Sequence, residues 1–227
     1  MRRTLVCLAN SYKHGGRCVA GVCLETGKWI RLRSGGGDGS LAAREYTLGD
    51  GMGELRLQDV FEVDLHYAMP SDCHPEDWVS VAGSWHLVGR PCSQARWETV
   101  KAAAERKGCL LGGYGDRMRA AAVEEQPLSA SLALVCPSDV WWWVREERGK
   151  LRYRALFKRD QSTFDLAVTD PRWLEQMQLL PVGLHPHKLL APDAKETWLT
   201  VSLSEAFAPK EGGPSAHFRI VAGVMLR

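Results

Sequence analysis

A chain of 227 residues carrying a net charge of +2 has room for one large domain or two of about 100 residues each. Its 45% hydrophobic and 25% charged residues exclude a disordered, collagenous or coiled-coil chain. No apolar run reaches the roughly 18–20 residues of a membrane span, and Met1-Arg2-Arg3 leads into only about six apolar residues, so neither a transmembrane helix nor a signal peptide is expected.

In chain order, Leu5 to Ala9 is an apolar run that reads as a buried strand, closed by a loop at Asn10-Ser11. Arg17 to Arg33 reads as two strands around the turn dipeptide Thr26-Gly27. On the second of them Ile30 and Leu32 alternate with Trp29, Arg31 and Arg33. Residues 34–59, with Gly35-Gly36-Gly37-Asp38-Gly39 and Gly49-Asp50-Gly51-Met52-Gly53, read as a long mobile insertion. Val60 to Tyr67 returns to alternation, and Trp85 to Val88 adds a strand. Ser93 is a good N-cap for a helix in which Trp97, Val100 and Ala104 recur at helical spacing, with Gly108 as its stop. Residues 108–128 read as a connector.

The second half is a loose repeat of the first. Leu132 to Cys136 matches the opening strand, Val140 to Val144 and Leu151 to Lys158 form a hairpin, and Ser162 to Val168 gives a third strand. Asp170-Pro171 is a helix-start signature, and Trp198 to Leu203 and Phe218 to Leu226 complete the set. About five short strands and a helix per half fit a small Greek-key barrel such as the OB-fold, and an SH3-like barrel would give similar text. The fold class is therefore mainly β, two tandem OB-like barrels with a connecting helix. The boundaries are 1–92 for the first barrel, 93–128 for helix and linker, and 129–227 for the second barrel.

Basic charge is concentrated in two blocks, residues 1–33 and 145–159, separated by an acidic stretch with ten Asp or Glu between 34 and 90. On the predicted hairpin, alternation buries Val140, Trp142 and Val144 with Tyr153 and Phe157. It leaves Trp141 and Trp143 outside with Arg145, Arg152 and Arg154. Aromatic rings beside guanidinium groups stack bases and hold phosphates, at about 1–3 kcal/mol per stacked base. Trp29, Arg31 and Arg33 read as a matching platform in the first half. The bland alternative is that some of these tryptophans are core. Adjacent strand residues point opposite ways, so Trp141, Trp142 and Trp143 cannot all be buried in one core. Lys13, His14, Gly15, Gly16 and Arg17 form a basic, glycine-bearing segment whose amides and charges suit a phosphate. It lacks the Gly-Lys-Ser/Thr ending of a nucleotide-hydrolysing loop.

No catalytic set and no cofactor is identifiable. Cys73-His74, Cys92, Cys109 and His185-Pro186-His187 lack metal-ligand spacing, and seven cysteines at unpaired spacings suit a reducing cytoplasm.

The segments Leu8-Ala9-Asn10-Ser11, Lys13-His14-Gly15-Gly16-Arg17-Cys18-Val19-Ala20-Gly21 and Gly27-Lys28-Trp29-Ile30-Arg31 resemble a bacterial family of dual-OB-domain proteins. Pro75-Glu76-Asp77-Trp78, Arg154-Ala155-Leu156-Phe157, Thr169-Asp170-Pro171-Arg172-Trp173 and Leu199-Thr200-Val201-Ser202-Leu203 extend the resemblance along nearly the whole chain. It implies two tandem OB barrels and recognition of nucleic acid or nucleotides, in a family associated with bacterial defence systems, and carries no catalytic residues over. The expected function is recognition of nucleic acid, preferably single-stranded, or of a nucleotide, with binding that falls steeply with salt. The alternatives are a protein–protein adaptor in a larger complex, and a nucleotide-acting enzyme centred on residues 10–17.

Overall fold

The computed structural model describes residues 1–49, 51–104, 109–208 and 213–227, and the chain divides into two compact units, Met1–Glu105 and Arg106–Arg227. In the first unit, β1 (Arg2–Lys13), β2 (Gly16–Cys23), β3 (Trp29–Arg33), β4 (Val60–Ala68) and β5 (Asp77–Ser80) are joined in the order β1-β2-β3-β5-β4, and β4 returns to β1, closing a five-stranded barrel. A short β6 (His86–Gly89) adds to β4. The pair β3–β5 is parallel and the others antiparallel, which is the Greek-key order of an OB barrel. β1 serves both neighbours. Arg2 to Val6 face β4, Leu5 to Lys13 face β2, and a bulge between Cys7 and Ala9 turns the strand from one to the other.

Inside, Leu5, Cys7, Val19, Ile30, Leu32, Phe61, Val63 and Trp85 form the core. The insertion 34–59 belongs to that core, which corrects its reading as a mobile loop. It carries a one-turn helix, α1 (Ala43–Tyr46), and its Leu41, Leu48 and Leu55 are fully buried against the barrel. Burying each leucine contributes about 1.5–3 kcal/mol, enough to hold a glycine-rich segment in place. The loop expected at Asn10-Ser11 is likewise absent, because β1 runs on to Lys13. Helix α2 (Gln94–Ala104) follows with Trp97 and Val100 buried, as their spacing predicts. The predicted stop at Gly108 lies outside the described residues. α2 falls in the first compact unit and residues 109–128 fall in the second.

The second unit opens with two elements that the sequence does not announce, β7 (Arg117–Arg119) and α3 (Ala120–Glu125). Its sheet comprises β8 (Leu132–Val135), β9 (Asp139–Glu147), β10 (Lys150–Arg159), β11 (Ser162–Val168), β12 (Gly183–Pro186), β13 (Thr197–Leu203) and β14 (Ala216–Leu226), in the order β12-β9-β10-β11-β14-β13-β8. Without β12 this is the first barrel's order again, including the parallel pair, here β11–β14. The difference lies at the first strand. Cys136-Pro137-Ser138 splits it into β8, which pairs with β13, and β9, which pairs with β10. Proline has no amide hydrogen for a ladder, and the break falls where β1 of the first barrel merely bulges. Between β11 and β13 runs α4 (Pro171–Met177). It is capped by Asp170, whose Oδ1 accepts from the amides of Arg172 and Trp173 while Oδ2 accepts from Val224 at 2.9 Å.

Candidate nucleic-acid interface

Register on the second sheet sorts its side chains into two faces. Val140, Trp142 and Val144 stand opposite Phe157, Ala155 and Tyr153 and point into the core, where Trp142 is fully buried. The other face forms a grid across four strands. One row holds Asp139, Lys158 and Thr163, and the next holds Pro186, Trp141, Leu156 and Asp165. The third holds Leu184, Trp143, Arg154 and Ala167, and Arg145 and Arg152 close it. Trp141 and Trp143 are both half-buried, so the alternation read from the sequence puts the right pair outside.

The arginines of this grid are held by carboxylates. Arg145 pairs with Glu147 and lies 4.9 Å from the centre of the Trp143 ring, a cation–π contact. Arg152 lies 3.8 Å from Glu147. Arg154 donates to the side chain and the backbone oxygen of Asp165, and also faces Asp116 at 3.6 Å. Burial disfavours the Asp116 carboxylate, but Arg117 and Arg154 outweigh it and hold its pKa below the usual value. Trp141 donates through Nε1 to Asp139 at 3.0 Å. Lys158 is exposed and has no ion-pair partner among the described residues.

The residues singled out in the first unit are placed differently. Trp29 is 7% and Arg31 5% exposed. Arg31 makes a two-pronged pair with the fully buried Asp77 at 2.6 and 3.0 Å, and Arg33 adds a third bond to it at 2.9 Å. Burial works against the Arg31 charge, but Cys18, Asp77 and Glu76 outweigh it and raise its pKa. Nor does β3 correspond to β9. β3 is the third strand of its barrel, while β9 is the second piece of a first strand, so the two tryptophan sets do not form equivalent platforms.

The segment around Gly15 is a tight hairpin rather than an open cradle. Only His14 and Gly15 separate β1 from β2, with φ of 47° and 85°, the signature of a two-residue turn that needs left-handed backbone at both positions. Oxygen atoms of the insertion already face the hairpin's basic groups. Lys13 Nζ donates to the Asp38 carbonyl at 2.7 Å, and His14 Nδ1 stands 3.6 Å from the Asp38 carboxylate. Arg17 pairs with Glu54 at 2.9 Å, between the rings of Tyr12 and Tyr46. Gly16 lies so close to the carbonyl of Leu41 that a Cβ would collide with it. Lys13, His14, Gly16 and Arg17 therefore meet the insertion in this structure, and Gly15 supplies the turn.

The sequence reading missed the apolar flank of the grid. Leu179, Val182, Leu184 and Leu189 are 85%, 59%, 49% and 58% exposed along the segment that contains β12. No period marks that stretch, and its only signal is an unusual number of leucines between prolines. Among the described residues, no group of three or more His, Cys, Asp or Glu side chains converges as a metal site would require. Also among them, no helix is long and apolar enough to cross a membrane.

With both barrels traced, the comparison with families is direct. The model of the dual OB-containing domain matches residues 3–224, and the chain belongs to that family. No curated protein matches it. A solved structure described as a murine DNA-binding protein bound with double-stranded DNA is 13% identical, covering 98% of this chain and 100% of that one. The TM-score between the two is 0.28.

Proposed function

We propose that the chain recognises single-stranded nucleic acid on the outer face of β9, β10 and β11. What carries the reading is the spacing of two half-exposed indoles on one strand. Trp141 and Trp143 are two residues apart on β9, about 6.8 Å. That is about twice the ~3.4 Å axial step of one strand in a duplex. Consecutive bases can reach both rings only when the strand is unstacked and drawn out, which a single strand allows and a duplex does not. In OB barrels the outer face of the neighbouring strands is the usual place for such ligands. The Arg145 guanidinium, lying on Trp143, extends the stacking surface. Replacing Trp141 and Trp143 together by alanine should weaken binding of mixed-sequence single strands at least tenfold while leaving the circular-dichroism spectrum and melting midpoint nearly unchanged. Unaltered affinity in that folded variant would remove the face from the account.

A second reading has its own observation. The exposed Leu179, Val182, Leu184 and Leu189 adjoin the same grid, and Trp, Arg and apolar side chains around a neutral centre also suit a protein partner. A stoichiometric complex that persists at high salt and is lost in Leu184→Ser would favour an adaptor.

A further inference from the structure

A depression lies on the grid, and its lining differs from the rest of the face. Trp141, Leu156 and Leu184 supply its apolar side, and Asp139, Lys158 and Thr163 stand together on its polar side. These last three are register partners across β9, β10 and β11, in the row next to Trp141. The volume is about 190 Å³. A closed cavity of about 150 Å³ lined by apolar side chains takes up benzene, so this open depression seats a single heterocyclic ring, and a second fused ring would project beyond its rim.

We propose, resting on the single-strand reading above, that this depression is a base subsite for an amino-bearing pyrimidine, with Asp139 as its specificity-determining residue. Three observations converge. First, the indole of Trp141 forms one side and is fixed by its own hydrogen bond to Asp139 Oδ2, so the stacking surface is set before a ligand arrives. Second, that bond uses one oxygen of Asp139 and leaves the other at the rim of an exposed residue. A carboxylate accepts from the cytosine N4 amino group and repels the O4 carbonyl that thymine and uracil present at the same position. Third, every arginine of the grid is tied to a carboxylate, whereas Lys158 has no ion-pair partner among the described residues. Standing directly opposite Asp139, its ammonium meets the adjoining phosphate, and the Thr163 hydroxyl remains for the N3 or O2 acceptor of the ring.

The test is competition among homopolymers of about ten nucleotides, a length within the range one OB barrel covers. Oligo-dC, oligo-dT and oligo-dA are titrated against the full chain and against Asp139→Asn and Lys158→Gln. The expected order is dC tighter than dT by about tenfold, with dA weakest. Asp139→Asn should erase or reverse the dC-over-dT ratio and retain binding of both within a few-fold, because its one amide oxygen still accepts from Trp141 and the NH2 left toward the base suits the O4 of thymine. Lys158→Gln should weaken all three equally and keep the ratio. Equal affinity for dC and dT, or a ratio unchanged in Asp139→Asn, overturns the subsite while the single-strand reading stands. Absence of binding to all three overturns both.

Discussion

His187 shows how one side chain can couple pH to the stability of the second barrel. Trp142 donates through Nε1 to His187 Nδ1 at 3.1 Å, and Thr197 Oγ1 lies 2.7 Å from His187 Nε2. With Nδ1 already accepting, the ring is neutral and its one proton sits on Nε2; a second proton would break the bond from Trp142. Burial accordingly lowers the His187 pKa. Above about pH 6.5, the unfolded value, neither state is protonated. Below it the unfolded chain takes up a proton that the folded chain refuses. Stability therefore falls as pH drops from about 6.5 and levels off beneath the folded pKa. Urea midpoints should decline over that window in the native chain. The decline should be smaller in His187→Gln, whose amide accepts and donates in the same places, and equal slopes would contradict this assignment. The Arg31–Asp77 pair makes a different forecast. Arg31→Ala leaves the buried Asp77 carboxylate with the single bond from Arg33 and should destabilise the chain to urea, by less than the about 3–5 kcal/mol of a wholly unpaired buried charge, which marks Arg31 as a support of the fold rather than a contact for ligand. The sequence could not distinguish Arg31 from Arg154. Both sit in alternating, aromatic-bearing strands, and only the tertiary partner, Asp77 or Asp165, decides which is buried.

Between residue and domain, the segment 109–119 shows what a single buried cation can organise. Arg219, 1% exposed, is held by carbonyls rather than by an ion pair among the described residues. Its guanidinium donates to the carbonyls of Leu110, Leu111, Tyr114, Gly115 and Arg117 at 2.8–3.5 Å. Burial lowers its pKa. The loop so held presents Asp116 to Arg154, which ties it to the candidate interface. Arg219→Lys should release the loop, since three donors on one nitrogen cannot serve five spread carbonyls. Hydrogen exchange at residues 110–117 should rise by orders of magnitude, and protection equal to the native chain would sink the idea. At this scale the hairpin β9–β10 was readable because period-two alternation survives on both strands. The insertion was not. Leu41, Leu48 and Leu55 stand seven residues apart amid glycines, with too few apolar residues between them to mark a helix face or an alternating strand, and only the closed barrel gives them a common place to go. β5 and β12, of four residues each, are too short to show a period.

For the molecule as a whole, repetition was the most legible property. Two runs of strands with a helix predicted two barrels, and the shared strand order and the dual OB-containing domain match bear that out. Equivalence between the halves was overdrawn, because Pro137 divides the first strand of the second barrel and shifts which hairpin its tryptophans occupy. Charge behaves differently as well. Blocks of arginine suggested a steep salt dependence. With Arg145, Arg152 and Arg154 already paired, however, the grid neutralises few phosphates. At a slope of about −0.7 per phosphate for single strands, one or two contacts give a slope of roughly −0.7 to −1.4 in log K against log salt. The measurement closest to the central claim is fluorescence anisotropy of one labelled sequence, offered first as a single strand and then as its duplex, across a salt series. The account predicts that the single strand binds at least tenfold tighter than the duplex and with that shallow slope. Equal or tighter binding of the duplex, with a steep slope, would contradict a stacking platform and return the interface to the phosphate backbone.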